Sequence, residues 1–333
     1  MIQDDTLVVM EQFQSKVATQ WVTNGDIRLE VKTLGDGPVI VCVHGWPELW
    51  YSYRHQMEYF AAKGFKVAAI NVRGYGESSA PSEIEAYTLE ALSDDVAAVI
   101  AALSEEPVIL FGHDWGAPIA YHTALRFEDR VRAIAGLSVP YRAPNGMSGL
   151  DLWRALYPDQ FFYQLYIEQP GVFESAFEKD QVSALRKIYH ALSGEAPLDH
   201  WIRHQPADAG MLDSLVDPDP FPDWMQESDW AVYIEAFKIS GMMGPANRYR
   251  AQAFDALALP ELHGKRLAQP SCFIGGSRDA VRHFIPGEDL YEAPEADCLD
   301  YRGTTLIDGS GHWVQQEAPE QTNAALDQFV QGL

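Results

Sequence analysis

Short apolar runs of strand length alternate along the chain with stretches of helical period. Residues 18–35 alternate apolar and polar around Thr23-Asn24-Gly25-Asp26, and Asn-Gly between such runs predicts a hairpin. Val39–Val43 is a near-continuous apolar run, the form of a strand buried on both faces. Residues 66–71, 108–114 and 131–139 predict further strands of this kind. Between Leu89 and Leu103, apolar residues at 89, 92, 96, 99, 100 and 103 follow the helical period. Residues 117–127 also read as a helix, with Pro118 in its first turn, where a missing N–H costs nothing. Strands alternating with helices predict a parallel sheet with right-handed crossovers and helices on both faces.

From Pro140 to about Tyr249 the pattern breaks. That region has no strand run and many aromatic residues, and residues 228–239 read as an amphipathic helix after a loop punctuated by Pro218, Pro220 and Pro222. The alternation resumes with strands at 271–274 and 304–307 and a last helix from near Pro319. The expected organisation is an α/β core of residues 1–140 and 250–333 around an inserted helical cap of residues 141–249.

Composition narrows the partners. Hydrophobic residues make up 47% and charged residues 22%, which is ordinary for a globular chain. The net charge of −24 argues against nucleic acid or an anionic membrane as partner and reads as a solvated acidic surface. Residues 1–5 lack the basic segment and apolar run of a signal peptide. No apolar run approaches the ~20 residues that span a bilayer. Cys42, Cys272 and Cys298 form no CxxC pair, and the first two fall inside apolar runs. A cytoplasmic protein, monomer or homodimer, is the expectation.

Candidate chemistry centres on Gly112-His113-Asp114-Trp115-Gly116, which joins an apolar strand directly to a helix. This is the layout of a nucleophile elbow, with aspartate where an esterase has serine. Gly-x-Asp-x-Gly also occurs in ordinary turns. However, Asp279 and His312 fall just past two later strands, and in open α/β sheets ligands bind at the carboxyl ends of the strands. Asp279 alone reads as a turn residue after Gly-Gly-Ser, and His312 alone as a satisfied polar residue at a strand end. Together they follow the order nucleophile, acid, histidine.

His44-Gly45-Trp46-Pro47-Glu48, Gly74-Tyr75-Gly76-Glu77-Ser78, the Asp114 elbow and Gly311-His312-Trp313 together resemble the α/β-hydrolase-fold epoxide hydrolases of the soluble type, over nearly the whole chain. The segment 162–171 resembles the one that carries the first catalytic tyrosine of that family, here Tyr163, and 244–250 the second, here Tyr249. Tyr166, Tyr189 and Tyr233 match no such motif and are expected in the core. The resemblance also implies a cis peptide before Pro47. Three segments depart from it: Asn71 and Arg73 in the turn after the second parallel strand, Ala117-Pro118 after the elbow, and Arg248 before Tyr249.

The chemistry suits these residue types. An aspartate is ionised at pH 7 without a base, since it titrates near ~3.9, and can attack a strained epoxide carbon directly. The leaving alkoxide is a strong base, so ring opening needs an acid, which two phenols supply. The resulting ester on Asp114 needs an activated water, the task of His312 oriented by Asp279. The backbone N–H groups of Trp46 and Trp115 are the expected oxyanion donors. No cofactor or metal is required. The aromatic cap suggests a hydrophobic epoxide, with water as co-substrate. The nearest alternative is a haloalkane or haloacetate dehalogenase, whose halide leaves without a proton and so needs no tyrosine pair. The other is a non-catalytic binding protein on the same fold.

Overall fold

The alternating stretch folds into a hairpin of β1 (Ala18–Asn24) and β2 (Ile27–Leu34), which turns through Gly25 at φ 58°. A computed structural model describes residues 13–201 and 204–333; residues 1–5, read above for a leader, lie outside them. The apolar runs become β3 (Val39–Val43), β4 (Lys66–Ile70), β5 (Val108–His113) and β6 (Val131–Leu137). Every residue of β3 and β5 is buried, which is why these strands carry no polar face. β7 (Leu267–Gly276) and β8 (Cys298–Ile307) complete an eight-stranded sheet in the order β1-β2-β4-β3-β5-β6-β7-β8. Pairing is antiparallel from β1 through β2 to β4 and parallel from there on. In register, Cys42 faces Phe111, Phe111 faces Ala135 and Ala135 faces Cys272, one row across the sheet centre. This is the α/β-hydrolase fold.

The crossover helices are α1 (Arg54–Ala62), α2 (Leu89–Leu103) and α3 (Gly116–Arg126). Thr88 caps α2, accepting from the Ala91 N–H at 3.3 Å. The periodicity of α1 is hidden because its buried face includes Arg54 and Gln56 as well as Met57 and Phe60. Gln56 Nε2 donates to Gln315 O at 3.1 Å and Asn323 Oδ1 at 3.0 Å, so the polar group enters the core with its partners. β7 and β8 are longer than their apolar runs suggested. β8 is an edge strand, and Leu299 is 61% exposed on it, so most of its length has no face that must be apolar.

Between β6 and β7 runs a helical insertion: α4 (Gly149–Leu156), α5 (Tyr163–Glu168), α6 (Val172–Glu178), α7 (Gln181–Leu192), α8 (Glu227–Ser240) and α9 (Met243–Arg250). A capping box between Gln226 and Asp229 starts α8. Tyr189 and Tyr233 are fully buried within this insertion, and Tyr166 is partly buried. A short α10 (Gln252–Asp255) leads back to the sheet, and α11 (Val314–Glu317) and α12 (Pro319–Gln331) follow β8. Among the described residues, no helix is long and apolar enough to cross a membrane.

The turn after β4 is structural. Arg73 grips Asp95 of α2 through Nε at 2.8 Å and Nη2 at 2.7 Å, and both side chains are buried. Asn71 accepts from the Trp50 N–H at 3.0 Å.

Candidate active site

β5 ends at His113, and the chain turns at Asp114 into α3 two residues later. Asp114 has φ 48°, a left-handed conformation that a non-glycine residue adopts only when its surroundings enforce it. Gly116 is what permits the turn: a Cβ there would stand 1.9 Å from Val43 O. The aspartate is thereby lifted to the carboxyl end of the sheet.

Asp114 Oδ1 accepts the Trp46 N–H at 2.7 Å, from the loop that ends β3. Asp114 Oδ2 lies 3.4 Å from His312 Nε2. On the far side of the imidazole, His312 Nδ1 is 2.8 Å from Asp279 Oδ2. Asp279, just past β7, is wholly buried, and its Oδ1 accepts the Val281 N–H at 2.9 Å. The Tyr291 hydroxyl donates to Asp279 Oδ2 and also lies 2.9 Å from Ser138 O. The loops after β5, β7 and β8 thus bring Asp114, Asp279 and His312 together. The Trp46–Pro47 peptide is cis.

The imidazole sits between two carboxylates. Burial works against its charge, but Asp279 and Asp114 outweigh burial and hold the His312 pKa well above 6.5. Burial likewise raises Asp114, yet the His312 hydrogen bond and charge bring its carboxyl below the ordinary aspartate value. Each group thus favours the charged form of the other.

Tyr163 opens α5 and Tyr249 lies in α9, and both phenols lie near enough to feel the Asp114 charge. Their ring centroids are 5.7 Å apart at 81°. Gln164 Nε2 donates to the Tyr163 oxygen at 3.0 Å. Burial, then the nearby Asp114 charge, pushes the Tyr163 phenol far up; burial and the charges of Tyr163 and Asp114 do the same for Tyr249. Both phenols keep their protons. Trp46 packs against both tyrosines at 6.2 and 5.5 Å, and Trp115 lies 5.5 Å from Tyr249. Of the two backbone groups named as oxyanion donors, the Trp46 N–H reaches Asp114, whereas among the described residues no hydrogen bond joins the Trp115 N–H to it. The Arg248 guanidinium lies over the Trp115 ring at 4.6 Å and pairs with Asp255.

Sequence reasoning missed several supporting groups. Glu48 Oε2 accepts the Gly45 N–H at 2.9 Å and lies 2.6 Å from His113 Nδ1, and His113 Nε2 lies 2.8 Å from His312 O. Burial opposes the Glu48 charge, but His113 holds the carboxyl below its ordinary value. His44 accepts the Val72 N–H on Nε2 at 3.1 Å, so Nδ1 carries the proton and donates to Gly45 O at 2.9 Å. Both Glu48 and His113 were visible as members of the motifs around Trp46 and Asp114. Tyr291 had no such marker. Glu317 also escaped notice: burial pushes its carboxyl up to about 7, against the downward pull of the Gly194, Gly311 and Trp313 N–H groups.

The sheet order and the aspartate elbow define an α/β hydrolase, and a family model described as the alpha/beta hydrolase fold matches residues 38–187. Epoxide hydrolase A of Mycobacterium tuberculosis is 36% identical over 93% of this chain and 96% of its own length. Epoxide hydrolase 2 of Siraitia grosvenorii is 31% identical over 92% and 96%. An epoxide hydrolase from an endophytic Streptomyces superposes with a TM-score of 0.90 at 36% identity, over 95% of this chain and 96% of that one. Potato (Solanum tuberosum) epoxide hydrolase I gives a TM-score of 0.85 at 31% identity, over 96% and 100%. The chain belongs to the α/β-hydrolase-fold epoxide hydrolases.

Proposed function

We propose that this enzyme hydrolyses hydrophobic epoxides to vicinal diols through a covalent ester on Asp114, with residues 141–249 acting as a cap over a core of 1–140 and 250–333. The observation that carries the reading is the placing of one ionised carboxylate between the His312 imidazole at 3.4 Å and the two buried phenols. Asp114 Oδ attacks an epoxide carbon, the C–O bond breaks, and the leaving alkoxide takes a proton from the Tyr163–Tyr249 pair. Ester formation removes one of the two anions that hold the His312 proton. The imidazolium then returns a proton to the phenolate and becomes a neutral base. It takes a proton from water, and the hydroxide adds to the Asp114 carbonyl. The Trp46 N–H stabilises the developing oxyanion, a contribution worth about 10²–10³-fold in other enzymes. Collapse breaks the bond from the Asp114 carbon to the substrate oxygen, which takes the imidazolium's proton as the diol leaves, and the acid's remaining proton passes to His312, restoring the carboxylate and the imidazolium. The rings of Trp46, Trp201 and Phe284 around Tyr163, at 6.2, 5.0 and 5.7 Å, support an apolar substrate.

The test is one turnover of styrene oxide by excess enzyme in oxygen-18 water. The expected first-turnover diol is unlabelled, and the label appears in the peptide that contains Asp114. A diol labelled from the first turnover means direct attack by water and removes Asp114 from the nucleophile's role.

A further inference from the structure

Behind His312, the insertion meets the core backbone to backbone. The His312 N–H donates to Leu192 O at 2.8 Å. The Trp313 indole donates to Tyr189 O at 2.8 Å, and the two rings stack 4.3 Å apart at 10°. A Cβ on Gly194 would stand 1.9 Å from Gly309 O and 2.9 Å from the Gly311 nitrogen, so only glycine lets these segments touch. Arg278, beside Asp279, donates to Gly194 O at 2.5 Å and Ala196 O at 3.0 Å.

Glu317 completes this contact. Its Oε2 accepts the N–H groups of Gly194 at 2.8 Å and Gly311 at 2.9 Å, and its Oε1 accepts the Trp313 N–H at 2.9 Å. One carboxylate thus holds both residues that flank His312 together with one residue of the insertion. Hydrogen bonds to an ionised acceptor are roughly twice as strong as neutral ones. We infer that Glu317 is a positioning residue for His312, and that it makes the seating of residues 192–196 and the aim of the imidazole a single event.

The inference rests on the two-step reading above and predicts which step suffers. Ring opening uses Asp114, set by β5 and its elbow, and phenols on α5 and α9; none of these hangs on Glu317. Ester hydrolysis needs the imidazole within about 2.6–3.2 Å of the proton it takes, and misplacement by ~1 Å costs about 10²-fold.

Two variants test this in single-turnover kinetics with acid quench and mass spectrometry of the ester, on the alkaline side of the Glu317 pKa. E317Q puts an amide N–H against backbone N–H donors. G194A leaves the Glu317 carboxyl and every reacting side chain chemically unaltered but wedges the insertion off the His312 loop. In both, ester formation is expected unchanged, ester hydrolysis slowed by about 10²-fold, and kcat and KM lowered together as ester accumulates. A folded variant that slows both steps equally, or neither, overturns the inference. If E317Q fails to fold, G194A decides. Absence of any ester in the wild-type enzyme would instead overturn the two-step reading itself.

Discussion

His312 lies between two carboxylates, and on the proposed mechanism one of them stops being an anion when the ester forms. The same arrangement governs stability. The His312 pKa is raised in the folded state, so its contribution is complete below 6.5 and is lost as pH rises through the raised value. The stability advantage of wild type over H312Q, read as the difference in Tm, is expected to shrink as pH rises from 6.5 toward 9; the three cysteines are common to both proteins and cancel in the comparison. An advantage that grows over that range would contradict the charge assignment. D279N removes the anion that remains after alkylation, so the ester is expected to build up and its hydrolysis to fall by about 10³-fold or more, seen by acid-quench mass spectrometry. Y163F and Y249F act on the other step. Each is expected to slow ring opening by about 10²-fold, with ester hydrolysis unaffected, because only the alkoxide needs their protons. Much of this site was legible at residue level. Asp114, Asp279 and His312 were marked by strand-end position and order, and Tyr163 and Tyr249 by their flanking residues. Tyr291 was not, because its relation to Asp279 exists only once the segment after β7 folds back.

At the scale of elements, legibility followed burial. β3 and β5 were read correctly because strands covered on both faces are written in apolar residues alone. α1 could not be read, since Arg54 and Gln56 occupy its buried face and their partners, Gln315, Gln316 and Asn323, lie at the other end of the chain. β8 was half read because a sheet edge imposes no apolar face. Long-range polar pairs of this kind also join elements energetically. Arg73 ties the turn after β4 to α2 through Asp95, with Asn24 of β1 adding a bond to the same carboxylate at 2.8 Å. Removing the arginine alone strands a buried anion. R73M is expected to lower unfolding free energy by about 3–5 kcal/mol in urea titration, and adding D95L to recover most of that loss.

The whole molecule carries −24, from 48 acidic and 24 basic residues, and this excess must be borne at its surface. Self-repulsion of that size is screened within about 8 Å at an ionic strength of 0.15 M. Tm is expected to rise on going from low salt to that range, while the Arg73–Asp95 contribution, measured by the same double variant, stays nearly constant because it is out of water. The chain order of the site has a different consequence. Asp114, Asp279 and His312 stand on loops of the sheet, whereas Tyr163 and Tyr249 are borne by helices that leave after β6 and return before β7. On the proposed roles, displacement at carbon and activation of the leaving group are encoded in separate stretches of the gene. Recombination that exchanged the stretch between those two strands would hand the same nucleophile a new class of leaving group, without altering a residue that attacks or hydrolyses.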